Sequence, residues 1–480
     1  MAIARKIAYN VAVSSLSKAL STILALISIA FITRYLGKEG FGNYATVLAF
    51  LSFFAALADL GLYSISTREI SKEGADEKRI MGNVFTMRIA SGLAILVIAP
   101  IIVLFFPYPV EVKEGIVIAV LSFLFSSSYQ VLNGIFQKNL AMDKVAIAEL
   151  AGKIFQTGFI IFAVKTRLGF NWIIASLLFN MFLSFIVVYL WSRKYLRFRM
   201  EFDFKYWKNF LRESLPLGIA AVITFAYFKM DTILLSVLKS SADVGIYNAA
   251  YKVLENITFF PAMIIGLIFP LMSKYIFTDR EAFKAISNKT FKVFVVLAIP
   301  LVIGTLFLAD GIIQIIGGGG FHEAAAVLRI LVFALAFIFF GNFFNSVLVA
   351  ANLQKKLMLM LGFAAILNIV LNLIFIPKFS YLGAAYVSML TEFLVVAMGF
   401  YLSAKKIGYF PNAEKITSIL ISGAAMTTFL FLFKQESFFF LLGTSPLVYL
   451  LFLWLLKAVK TEEIKSLISK KGIQEYGEAP

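Results

Sequence analysis

AVITFAYFKMDTILLSVLKSSADVGIYNAAYK, residues Ala221–Lys252, decides how this chain folds. It opens with an apolar run long enough for a helix through hydrocarbon, yet it carries Lys229 and Asp231 near mid-span, where an unsolvated charge is costly. It then turns through GIYNAA (Gly245–Ala250) into a second apolar run. Working outward, GNYATV (Gly42–Val47) holds the equivalent place between the first two apolar runs of the chain. A hydrophobic plan that repeats after about two hundred residues, with charges set inside it, predicts a two-lobed membrane transporter.

Composition narrows the class. The 480 residues are 61% hydrophobic and 15% charged, and long apolar runs recur between short polar breaks. That pattern predicts an all-α polytopic membrane protein; a barrel would show alternating segments of about ten residues, and none is present. The net charge of +17 would point to nucleic acid in a soluble protein. Here the basic residues lie in alternate loops, which orients the chain in a bilayer and excludes nucleic acid as a partner. Absence of Cys excludes disulfides and zinc–thiolate chemistry, and a single His, His322 in a loop, excludes a histidine metal cluster. The basic start MAIARKIAYN resembles a signal peptide, but the apolar stretch runs on without a small-residue cleavage site and is expected to stay as the first helix.

Fourteen spans are expected. The first six cover 10–33, 43–66, 82–106, 115–137, 145–164 and 170–192. The next six cover 213–238, 248–272, 290–316, 324–350, 357–376 and 381–404, and two more cover 415–433 and 438–457. With the N-terminus inside, inner loops and tails hold about 30 of the 44 Lys and Arg, outer loops about 8, so both termini are expected on the cytoplasmic side of the cell membrane. The longest connection, RKYLRFRMEFDFKYWKNFLR (Arg193–Arg212), is basic and aromatic. It reads either as an interfacial helix against anionic headgroups or as a plain cytoplasmic linker.

The repeat extends across six helices. GNYA (Gly42–Ala45) aligns with GIYN (Gly245–Asn248), Asn139–Leu140 with Asn352–Leu353, and RLGFNW (Arg167–Trp172) with YLGAAY (Tyr381–Tyr386). An even number of helices per repeat gives both halves the same orientation, related by an axis along the membrane normal. The expected organisation is an N-lobe over 1–192, a basic linker over 193–212, a C-lobe over 213–404, and 405–480 carrying the last two helices and a cytoplasmic tail.

RYLGKEGFGNYATVLAFLSFFAALADLGL (Arg34–Leu62) resembles the signature of the polysaccharide transporters in the multidrug/oligosaccharidyl-lipid/polysaccharide flippase superfamily. FHEAAAVLRILVFALAFIFFGNFFNSVLVAANLQKK (Phe321–Lys356) and the PKFSYLGAAYVSML after it are similar to the C-terminal half of the same proteins. The resemblance implies a V-shaped pair of six-helix lobes around a cavity that opens to one side at a time and takes the pyrophosphate–sugar head of a polyprenyl lipid. It also implies that basic residues on the cavity helices serve that headgroup.

Four basic side chains are candidates for the headgroup phosphate: Lys229 first, then Lys18, Arg88 and Lys153. Lys18 and Lys153 lie roughly 12 Å from the inner face, Arg88 about 9 Å, and Lys229 close to the midplane. Arg88, Lys252 and Arg329 are near enough to an interface to snorkel. Lys153 follows Glu149 by four residues and Lys252 precedes Glu255 by three, so local ion pairs are expected there. Asp59 shares a depth with Lys18 and Arg88, which predicts a structural bridge. Tyr227 is a candidate for the sugar, and Glu392, Asp231 and Asp59 for coupling to H+ or Na+; no metal site is expected.

The leading functional expectation is a flippase for a lipid-linked oligosaccharide. Its partners would be that lipid, the surrounding membrane lipids and glycan assembly proteins. A cation-coupled multidrug antiporter would want a more acidic cavity. An enzyme is not expected, because neither a sizeable loop domain nor a clustered acid–base site is visible.

Overall fold

Every long apolar run becomes helix because hydrocarbon offers the backbone no hydrogen-bond partners, so each peptide group must be satisfied within its own segment. The computed structural model describes residues 2–412 and 415–458. Its helices are α1 (Ala2–Asp59), α2 (Leu62–Ile70), α3 (Glu77–Leu104), α4 (Val110–Lys138), α5 (Met142–Lys165), α6 (Phe170–Ser192) and α7 (Phe204–Leu238). They continue as α8 (Ser241–Ile257), α9 (Phe259–Thr278), α10 (Arg280–Gly317), α11 (Ala324–Ala350), α12 (Gln354–Leu402), α13 (Ile416–Leu432) and α14 (Phe438–Leu455). The chain is a polytopic all-α membrane protein.

Among the described residues, eleven segments are long and apolar enough to cross a membrane, with α8 and α9 together forming one of them (Ser241–Thr278). Two of them are interrupted: α1 at Gly37 (φ 66°) and α12 at Ser380 (φ 49°), just after Pro377. The seventeen-residue α13 is shorter than the rest. The expectation of fourteen spans rests on dividing α1 and α12 at those breaks and counting α13. A left-handed φ at Gly37 is free of Cβ strain, so the turn between the first two spans needs no loop of its own.

The outward faces confirm which solvent this is. On α3, Leu93, Val97, Ile98, Ile101 and Leu104 are exposed, while Gly92, Ala99 and Val103 are buried. A helix face of Leu, Val and Ile turned outward suits acyl chains, and Gly92 and Ala99 on the buried side let neighbouring helices approach.

Two compact units divide the chain. The first comprises Met1–Ala249, Ile315–Ala324 and Leu361–Val387. Its core gathers Leu62, Ile65, Met81, Val84, Leu132, Phe136 and Val145 from α2, α3, α4 and α5. The second comprises Ala250–Gln314, Ala325–Met360 and Ser388–Pro480. There α13 and α14 pack on α10 through Val295, Leu308, Met426, Leu430 and Tyr449, whose hydroxyl donates to the Val296 carbonyl at 3.0 Å. The two last helices, without a counterpart in the repeat, are thus bonded into that unit.

The repeat is legible in backbone detail, shifted by one residue at one place. α4 closes on a left-handed Leu140 with Ala141 N donating to Phe136 O, and α11 on a left-handed Asn352 with Leu353 N donating to Leu348 O, both at 2.9 Å. The equivalent turn residues are therefore Leu140 and Asn352, whereas letter matching paired Asn139 with Asn352. Turn geometry, not side-chain identity, is what the repeat keeps.

The basic connection is not a separate interfacial helix. Residues 196–203 are non-helical, and α7 starts at Phe204, where Asp203 caps it by accepting from Tyr206 N at 2.9 Å.

Candidate functional site

α7 carries its acid inward. Asp231 is 3% exposed and accepts from the Tyr247 hydroxyl of α8 at 2.8 Å and from Asn372 Nδ2 of α12 at 3.4 Å. The same Asn372 amide donates to Asn368 Oδ1 at 2.9 Å, one turn away. Beside Asp231, Thr232 donates to Asn248 Oδ1 at 3.3 Å. Asn372 Oδ1 is itself buried without a hydrogen-bond donor. Three helices of the first unit thus converge on one carboxylate ringed by amide and hydroxyl groups. Tyr247 and Asn372 turn donors toward it, which satisfies a buried acceptor that would otherwise be costly.

A second polar group lies among α1, α3, α4, α5 and α6. Arg88 is fully buried, pairs with Asp59, and donates to the Ala58 carbonyl at 3.0 Å and to Gln130 Oε1 at 3.5 Å. The bridge expected between Asp59 and Arg88 is present. Tyr129 donates to Glu149 at 2.5 Å. Lys153 Nζ donates to Gln156 Oε1 at 3.0 Å, which also accepts from Asn180 at 3.0 Å. This network ties α5 to α6 and satisfies buried polar groups that would otherwise be costly.

Lys18 is exposed on α1, and Lys229 is half-buried on α7, two residues before Asp231. Tyr227 is buried, its ring 4.9 Å from and edge-on to Phe228. Glu392 is buried on α12 in the second unit, where Lys252 also pairs with Glu255 at 2.6 Å. The structure brings Asp59 to Arg88, and Asp231 to two helices beyond its own.

The paired GNYA and GIYN motifs meet. At Gly42 an added Cβ would run into the Ser241 carbonyl and lie 3.0 Å from Gly245 N; at Gly245 it would run into the Lys38 carbonyl. Around this crossing, Lys38 pairs with Glu323 at 2.6 Å, Arg34 donates to the Ile315 carbonyl at 2.7 Å, and Lys239 to the Pro377 carbonyl at 2.9 Å. Burial opposes ionisation of Glu323, but the Lys38 hydrogen bond and a backbone donor outweigh it and hold the carboxyl below its ordinary range. At the opposite ends of the same helices, a Cβ on Gly61 would lie 2.6 Å from the Ser214 carbonyl, and one on Gly218 2.6 Å from Leu60 Cα. The glycines thus let α1 come close to α8 at Gly42 and Gly245, and let the break after α1 come close to α7 at Gly61 and Gly218.

Sequence reading missed Asn368, Asn372 and Tyr247. Asn368 and Asn372 stand four apart in the apolar run AAILNIVLNLIF, a spacing that puts both amides on one helix face, and that signal was available.

The polysaccharide biosynthesis protein family matches residues 7–276, and the MatE family matches residues 216–374. The resemblance read from Arg34–Leu62 is borne out. The chain is 24% identical over 324 residues to the capsular polysaccharide biosynthesis protein CapF of Staphylococcus aureus, covering 65% of this chain and 81% of that one. It is 23% identical over 385 residues to the probable low-salt glycan biosynthesis flippase Agl15 of Haloferax volcanii, covering 77% of each. Among solved structures, the lipid II flippase MurJ in an inward closed conformation superposes with a TM-score of 0.74 over 92% of this chain and 97% of that one, at 18% identity. At that identity the likeness is one of fold.

Proposed function

This chain belongs to the polysaccharide biosynthesis protein family, and we propose that it is a flippase that moves a polyprenyl-(pyro)phosphate-linked oligosaccharide from the cytoplasmic to the outer leaflet of the cell membrane. The halves 1–192 and 213–404 rock about the linker; the lipid tail stays in the bilayer while the anionic head crosses between them. The flippase names of Agl15 and MurJ support this reading.

The observation that carries it is the disposition of charge in the spans of the first unit. The acids there are taken up by protein donors: Asp59 by Arg88, Glu149 by Tyr129, Asp231 by Tyr247 and Asn372. The basic groups of those spans named above, Lys18, Arg88, Lys153 and Lys229, exceed these three carboxylates by one, a balance that suits a phosphate and not a cationic drug. Lys229 and Lys18 hold the phosphate, with Tyr227 near the sugar.

Asp231 is the coupling group. H+ or Na+ takes the place of the Tyr247 and Asn372 donors on its carboxylate, and α7, α8 and α12 respond together. Glu392 and Asp59 are the other carboxylates within the spans; Asp59 is already bound to Arg88. The crossing of Gly42 with Gly245 and the Lys38–Glu323 pair form the closure on the outer side.

The test is translocation of a fluorescent polyprenyl-pyrophosphate oligosaccharide in proteoliposomes, with a drug-resistance assay in parallel. Lys229→Glu is expected to abolish translocation while the protein still inserts, and Asp231→Asn to abolish its dependence on a Na+ or pH gradient. Full translocation by Lys229→Glu, or drug resistance without glycan transport, would overturn the reading.

A further inference from the structure

Arg193–Arg212 has its residues the wrong way round for water. Residues 196–203 are non-helical, and from Met200 to Phe204 exposed and half-buried side chains alternate. Inward go Phe198, against Phe85 at 5.4 Å, and the two acids. Glu201 accepts from Asn83 Nδ2 at 2.9 Å, and Asp203 pairs with Arg79 at 2.9 Å. Asn83 Oδ1 receives both Asp203 N at 3.1 Å and Trp207 Nε1 at 2.9 Å. Outward go Met200, Phe202 and Phe204, the two phenylalanines 67% and 72% exposed. Their rings flank Trp207 at 6.1 and 5.2 Å. All seven basic side chains of the stretch are exposed, Arg197, Arg199, Lys205 and Lys208 among them. The strap therefore ties its two acids to α3 and shows aromatic rings set among cations.

We infer that this strap is a docking surface for the headgroup region of an anionic bilayer. Met200, Phe202 and Phe204 enter the boundary between headgroups and acyl chains, and the surrounding Arg and Lys bind acidic headgroup phosphates. Two features select a bilayer over a protein partner. The helix that follows, α7, is long and apolar enough to cross a membrane and itself exposes Leu215, Leu217 and Ile219. Aromatic rings with interleaved cations also match both layers of an interface, the apolar and the charged. Because Asn83 and Arg79 bolt the strap to α3, contact with acidic lipid is transmitted to the start of α7.

Absence of Cys in the chain makes a single labelling site clean. The full-length protein with Phe202→Cys, and separately Lys205→Cys, carries a nitroxide and is reconstituted in bilayers of phosphatidylcholine alone or with phosphatidylglycerol. Collision with oxygen, which partitions into lipid, is compared with collision with a water-soluble nickel chelate. The oxygen-to-nickel ratio is expected to be several-fold higher at 202 than at 205 in the anionic bilayer, and to fall at 202 when phosphatidylglycerol is omitted or salt is raised. Arg197, Arg199, Lys205 and Lys208 replaced by Gln in the Phe202→Cys background should remove that dependence on lipid charge. Inorganic phosphate added to the neutral bilayer should not restore the ratio. A label at 202 as wet as one at 205, a ratio indifferent to lipid charge, or spin coupling between 202 labels of two copies would each overturn the inference.

Discussion

Arg88→Met should unfold this protein more readily, and its companion Asp59→Leu should undo the damage. Arg88 is 0% exposed, and its guanidinium is shared among Asp59, the Ala58 carbonyl and Gln130. Deleting it strands a carboxylate, a carbonyl and an amide oxygen at the junction of α1, α3 and α4. Breaking a buried pair from one side costs about 3–5 kcal/mol. The Asp59 side chain is 27% exposed and can recruit water, which places this case near the lower limit, about 3 kcal/mol. Arg88→Met with Asp59→Leu replaces the whole pair by apolar groups, which is close to neutral, so the cycle should show a coupling of about 2–3 kcal/mol. Denaturant unfolding of the purified protein in detergent, with no substrate present, measures all four corners. If Arg88→Met keeps parental stability while translocation is lost, or if the double variant is no more stable than the single one, Arg88 acts on the ligand and the bridge is not structural.

Other outcomes follow from the same contacts. Gly42→Ala and Gly245→Ala each push a methyl into a facing carbonyl, so each should cost about 1–3 kcal/mol and raise the accessibility of a label at position 241; unchanged melting and accessibility would show that the backbones part freely. Asn83→Leu removes the acceptor shared by Asp203 N and Trp207 Nε1, and melting should fall by about 1–3 kcal/mol with the strap becoming protease-sensitive. Glu323, held below its ordinary value near 4.5, contributes stability that is fully present above that value and is lost as pH falls through its lower folded-state value. The stability contributed by the Lys38–Glu323 contact should therefore be constant from about pH 5 to 8 and fall only in stronger acid, read as the difference in denaturant unfolding between the parent protein and Glu323→Gln across that range; a difference that falls within the neutral range would contradict this.

Reading the sequence found the charged spans but not their partners. Lys229 and Asp231 announced themselves as ions in an apolar run, and the depth Asp59 shares with Lys18 and Arg88 was enough to predict a bridge, whose partner the structure shows to be Arg88. Nothing local could attach Asp231 to Tyr247 and Asn372, because those residues come sixteen and 141 positions later on helices whose rotation is set by packing. Likewise Glu201 and Asp203 read as ordinary surface acids in a basic linker. Only the hydrogen bonds to Asn83 and Arg79 turn them inward and Phe202 and Phe204 outward.

Hydrophobicity by itself determined that this chain lives in a bilayer as helices, because runs this long and apolar have no other way to satisfy their backbones. Its internal spacing also determined that Gly42 and Gly245 are equivalent positions. That those two glycines lie face to face, and that three helices close on one carboxylate, was decided by the tertiary structure. In a membrane, apolar side chains face lipid and protein alike, so the pattern that marks a span does not say which side of it meets which neighbour. Close backbone approach and buried hydrogen bonds settle that, and both exist only once the helices have packed.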